Sequence, residues 1–158
     1  MKALTTGLAL WLCLSGTGCD TQGEQNDFVD AADQPPNGIT RTDAGGQVLS
    51  EDQDDWRSAP VYIGKVRLDP AYPNPATTGF VTLQVNVLEF GGVRGGLFLR
   101  ANNASGRFIL LDDLPDASSP GFYSMTFSPA ALGRTGLHRL FLFDSFNELV
   151  SYGDLEVP

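Results

Sequence analysis

The stretch Phe80-Val81-Thr82-Leu83-Gln84-Val85-Asn86-Val87-Leu88-Glu89 sets the architecture of this chain. Val81, Leu83, Val85 and Val87 alternate with Thr82, Gln84 and Asn86. Side chains of a strand point alternately to its two faces, so this strand buries one face and wets the other. Six further segments share its character, being short runs of Val, Ile, Leu, Phe and Tyr bounded by Gly, Pro, Asn and Asp. They are Val61 to Leu68, Leu97 to Ala101, Arg107 to Leu111, Phe122 to Ser128, Leu137 to Phe143 and Leu149 to Val157. The run Leu140-Phe141-Leu142-Phe143 is apolar on both sides and predicts a central strand covered on both faces. Asp144 to Glu148 predicts a hairpin. Pro129 to Leu132 predicts one helical turn capped by Ser128. Seven short strands with no amphipathic helix among them point to an all-β fold, an antiparallel sandwich over residues 59–158.

Upstream the composition changes. From Asp20 to Ser58 ten acidic residues face only Arg41 and Arg57, and large apolar side chains are few. Pro35-Pro36, Asn37-Gly38 and Gly45-Gly46 interrupt the segment. Such a stretch is expected to stay mobile, extended by its like charges. Residues 19–58 therefore read as a disordered acidic linker. Glu51-Asp52-Gln53-Asp54-Asp55 lacks the spacing of an EF-hand loop and reads as a solvated charge run.

The N-terminus reads as an export signal over residues 1–18. Met1-Lys2 is positive, Ala3 to Leu14 is largely apolar, and Ser15-Gly16-Thr17-Gly18 are small. The apolar run is shorter than the roughly twenty residues that span a bilayer. Cys19 follows directly. Cys13 lies inside the apolar run and would leave with it, so Cys19 would be the lone thiol of the processed chain.

Gly18-Cys19, with Thr17 before them, resembles the lipobox of bacterial lipoproteins, although Gly16 stands where that family carries Leu or another aliphatic. The resemblance implies cleavage between Gly18 and Cys19, a diacylglyceryl group on the Cys19 thiol, and attachment to a membrane of the cell envelope. Asp20 next to the cysteine implies inner-membrane retention in enteric bacteria; in other lineages the outer membrane or cell surface is expected.

Tyr72-Pro73-Asn74-Pro75 lies between the first two expected strands. Its prolines fix φ and remove two amide donors, which suits a rigid connection with Tyr72 against the sandwich edge. This tetrapeptide, with Thr77-Thr78 and an alternating strand after it, resembles the opening of the immunoglobulin-like C-terminal domain of type IX secretion cargo and of flagellar-hook-cap-like domains. The resemblance implies an immunoglobulin-like sandwich. It also carries a second functional implication, recognition of the domain by a type IX-like secretion system. The closing residues Asp154-Leu155-Glu156-Val157-Pro158 lack the basic residues of that family's last strand.

Catalytic signatures are sparse. His138 is the single histidine, placed where immunoglobulin-like sandwiches often carry a corner tyrosine, and it reads as structural. The sequence holds no Gly-x-Ser-x-Gly elbow and no Walker loop. Asp112, Asp113 and Asp116 read as an Asp-rich turn, and Gly91 to Gly96 as a flexible connection. With a formal net charge of −9 and dispersed arginines, nucleic acid is not an expected partner. The expectation is a non-enzymatic module without cofactor or metal, held to a membrane by its N-terminal lipid and facing an envelope protein or glycan.

Overall fold

The computed structural model describes residues 21–158. The chain runs through α1 (Thr21–Ala32), β1 (Arg41–Thr42), β2 (Val48–Ser50), β3 (Val66–Tyr72), β4 (Val81–Val87), β5 (Leu97–Asn102), β6 (Phe108–Leu114), β7 (Gly121–Phe127), β8 (Gly136–Asp144) and β9 (Leu149–Val157). Single 3-10 turns occupy Pro60–Tyr62 and Pro129–Leu132.

Seven antiparallel strands make two sheets, ordered β3-β4-β7 and β6-β5-β8-β9. The chain passes between sheets after β4, β6 and β7, which gives an immunoglobulin-like sandwich. In β4 the expected alternation holds: Val81, Leu83, Val85 and Val87 are buried and pair with Phe127, Met125, Tyr123 and Gly121 of β7. Facing them are Leu97 and Leu99 of β5, Leu140 and Leu142 of β8, and Leu155 of β9, all fully buried. Where the sheets meet at β6 and β7, Asp112 Oδ2 accepts the Thr126 amide at 2.6 Å. Asp112 and Asp113 thus belong to strand β6, and only Asp116 lies in the turn beyond it.

Two boundaries differ from expectation. The first strand starts at Val66, because Pro60 removes an amide donor and a 3-10 turn forms there. The turn at Pro129 lacks a side-chain cap from Ser128.

The larger correction concerns the linker. Residues 21–58 are not an extended tether; they fold onto the sandwich and share its core. In α1 the buried residues are Gln25, Phe28 and Ala32, spaced three and four apart and therefore on one stripe. Phe28 meets Tyr152 of β9, ring centroids 5.0 Å apart. The acids Glu24, Asp27 and Asp30 are exposed, so the charge that suggested disorder lies in water while the opposite stripe packs. Asp43 Oδ1 accepts the amides of Gly45 and Gln47, closing the β1–β2 turn, where Gly46 takes φ 84° beside the Tyr72 ring.

Residues 56–59 then run along the free edge of β9. Trp56 N donates to Tyr152 O and Ala59 N to Val150 O, both at 2.8 Å, and farther along Ala76 N donates to Glu156 O. A sheet edge is thereby covered that would otherwise offer unpaired amides and carbonyls. Trp56 is buried over Gly153, where any Cβ would collide with the indole. No boundary at residue 58 separates a tether from a domain.

Candidate functional site

The outer face of the four-stranded sheet is set by the register of its strands. Leu137, Arg139, Phe141 and Phe143 of β8 point outward, since His138, Leu140, Leu142 and Asp144 point in and are buried. Pairing brings Phe98 opposite Phe143 and Arg100 opposite Phe141. The adjacent strand adds Phe108 and Leu110. Arg139 and Tyr152 lie on the same face, on β8 and β9, and α1 sits over them.

Arg139 holds α1 in place. Its Nε and Nη2 donate to Asp154 Oδ1 at 2.7 Å and Oδ2 at 2.8 Å, a bidentate pair almost removed from water. Its Nη1 donates to the carbonyls of Ala31, Ala32 and Gln34, at 3.0, 3.2 and 2.7 Å. The last turn of α1 has no basic residue of its own. A cation from the sheet therefore meets the helix's open carbonyls and the negative end of its dipole. The guanidinium also lies 4.9 Å from the Tyr152 ring centroid.

Asp55 and Asn74 fasten the rest of the N-terminal segment. Asp55 accepts the amides of Thr40 and Asp154. Burial pushes its carboxyl up to about 6, with the charges of Asp154 and Asp52 adding and the two amides opposing. It is a half-buried hub rather than part of a solvated run. Asn74 is wholly buried: its Nδ2 donates to Thr40 O and Asp154 O, and its Oδ1 accepts Glu156 N. The peptide bonds preceding Pro73 and Pro75 are cis. Tyr72, the last residue of β3, bonds through its hydroxyl to Gln84 Nε2 at 3.1 Å. Tyr72 to Pro75 is thus a structural junction joining β3, β9 and the N-terminal segment. It lies away from the aromatic face.

Beyond α1 the face is open. Phe108 is 48% exposed and Leu110 52%. Phe108 meets Phe141 and Phe143 edge-on at 5.6 and 5.9 Å, and Phe141 stacks with Phe143 at 6.2 Å. Arg100 lies across the rings, 5.8 Å from Phe98 and 5.5 Å from Phe143, and its Nη1 donates to Asn147 Oδ1 at 2.8 Å. Central strand β8 is therefore covered on its outer side only in part. Between this patch and α1 runs a groove of about 320 Å³, lined by Val29, Ala32, Asn102, Phe108, Phe141 and Phe143 among others. Aromatic side chains with an arginine, beside an apolar recess, can stack on planar or ring-shaped groups and desolvate them.

Other polar groups are committed to the fold. Asp144 is buried and accepts Tyr62 Oη at 2.8 Å, Arg94 Nε at 3.2 Å, and the amides of Phe146 and Glu148 at 2.9 Å each. Burial and the hydrogen bond to Asp144 push the Tyr62 phenol up. His138 Nε2 lies 3.0 Å from Arg134 O, and a carbonyl only accepts, so Nε2 carries the proton. Its Nδ1 has no partner among the described residues, and burial lowers the pKa of the ring. Among the described residues no three His, Cys, Asp or Glu side chains gather as a metal-ligand set.

Gly18 and Cys19 lie outside the described residues. The aromatic face was not anticipated from the sequence. Its one signal is the repetition of Phe at alternate positions in Phe141-Leu142-Phe143, together with Phe98 and Phe108 on the neighbouring strands. Comparison with protein-family models, curated proteins and solved structures returns no match.

Proposed function

We propose that this chain is an exported lipoprotein, acylated at Cys19 and held to the cell envelope, whose sandwich is a non-enzymatic interaction module. The observation that carries the interaction role is the open face of Phe98, Arg100, Phe108, Leu110, Phe141 and Phe143 beside α1. Aromatic and arginine side chains are the residue types enriched at recognition surfaces. The buried acids support the same reading, because Asp144 and Asp154 are occupied by amides, a tyrosine and arginines rather than aimed into a cleft. The partner is an envelope protein or glycan. The small-residue run before Cys19 supports the anchor.

The test uses the full chain in its own cells, with a photo-crosslinking amino acid at position 108 or 110, and glycan binding by the purified lipidated protein. A discrete adduct, or glycan binding at least tenfold weaker in Phe108→Ser and Arg100→Ala, is the expected result. No adduct at either position, together with unaltered glycan binding in both variants, would sink the reading.

A further inference from the structure

We infer that one end of the sandwich, formed by residues 60–65, 88–96 and 144–148, sits directly on the lipid surface, so that the domain is seated rather than tethered. The inference rests on the anchor reading and adds an orientation to it.

Its first support is where α1 begins. Strand directions put the loops 60–65, 88–96, 115–120 and 145–148 at one end of the sandwich. The first turns of α1 are fixed to that end. Gln25 Nε2 donates to Glu148 Oε1 and Leu149 O, and its Oε1 accepts the Val61 amide. Gln22 shares a recess with Val61, Tyr62, Lys65 and Arg94. Cys19 stands two residues before Thr21. Two residues reach at most about 7 Å, whatever their conformation. A lipid on that thiol would therefore draw this end to the bilayer, with no length of chain to hold it off.

The second support is what the end exposes. Phe90 is 82% exposed, Phe146 70%, Ile63 69% and Leu88 46%. Large apolar side chains grouped at one tip have no internal use, and an interface about 5–10 Å into the headgroup and acyl boundary is where such groups lodge. The loops that carry them are tied together. Leu88 N donates to Lys65 O, Gly91 N to Ser118 O, and both Ser145 N and Oγ to Arg94 O. Gly96, at φ 100°, lets its loop pass where a Cβ would stand 2.6 Å from Leu114 O.

The rim carries Lys65 and Arg94 together with Glu24, Glu89, Asp116 and Glu148. Arg94 lies 4.7 Å from the Phe146 ring centroid. Lys65 can extend its stem along the apolar groups and place its charge among phosphates, whereas Arg94 Nε stays with Asp144. With charges of both signs at the rim, insertion rather than net attraction is expected to dominate, so a zwitterionic lipid is the appropriate surface.

The test is tryptophan quenching in vesicles of phosphatidylcholine brominated on its acyl chains. Full-length, natively processed protein is reconstituted as Phe90→Trp, Phe146→Trp and Phe80→Trp; Phe80 is 64% exposed and lies at the opposite end. The buried Trp56 supplies a constant background, read from the unsubstituted protein. The expected result is a loss of half or more of the added emission at positions 90 and 146, with none at 80. Equal quenching at 80, 90 and 146, or none at any of them, overturns the seating.

The mass of the N-terminal peptide from the same sample decides lipidation separately. Were Cys19 to carry a bare thiol, the anchor reading would fall. Cys19 of a Trp11→Phe, Cys13→Ser protein would then be coupled to a maleimide lipid, and the same quenching comparison would decide the seating.

Discussion

Arg139 touches five acceptor atoms on two parts of the chain: Asp154 on β9, and Ala31, Ala32 and Gln34 at the end of α1. Its loss strands a buried carboxylate and frees three carbonyls. Arg139→Met is expected to cost about 3–5 kcal/mol, whereas Arg139→Met with Asp154→Leu costs less, because no charge is left unpaired. Urea unfolding of the single and double variants checks the order. Asp55 gives the pH dependence. Its carboxyl is pushed up to about 6 in the fold, against an ordinary value of 3.8. Below the lower value both states hold the proton. Between the two the fold retains it and the unfolded chain releases it, so stability falls as pH rises and levels off above about 6. The stability of Asp55→Asn relative to the parent is therefore expected to climb from pH 4 to 6 and then stay flat. A flat difference across the whole range would refute the assignment.

At the scale of elements, the N-terminal segment is part of the folded unit. Removing residues 1–58 would uncover the β9 edge at Tyr152, paired by Trp56, and the sheet face under Phe28. The fragment 59–158 is expected to lose cooperative unfolding and to associate through that edge. Phe28→Ala in the full chain is expected to cost about 3 kcal/mol. Circular dichroism melts and light scattering compare them. The strands were legible because their cue is local: β4 and its neighbours declare themselves by alternation within seven residues. The helix was not, because Phe28 and Val29 are its only large apolar residues, and the groups that fix it, Arg139 and Tyr152, lie more than a hundred positions downstream. Tyr72 to Pro75 was legible as a rigid turn from its prolines. The role of Asn74 was not, since its partners Thr40, Asp154 and Glu156 come together only in three dimensions.

At the scale of the whole molecule, the aromatic face exists because α1 shields part of one sheet and stops. Neither the helix nor the sheet alone would place Val29 and Ala32 against Phe108 and Phe141. That recess was beyond the reach of sequence reading, which supplied the Phe residues but no second wall. The two ends of the sandwich also differ in what they hold. Val157 and Pro158 lie beside Thr77 and Pro129, at the end away from the start of α1. Strand β9 alone, with nine residues, spans about 30 Å between those ends. A fluorescent protein genetically joined after Pro158 would thus ride at least that far above an acyl-held base. Energy transfer from it to a dye in the headgroups would report the upright stance as a height.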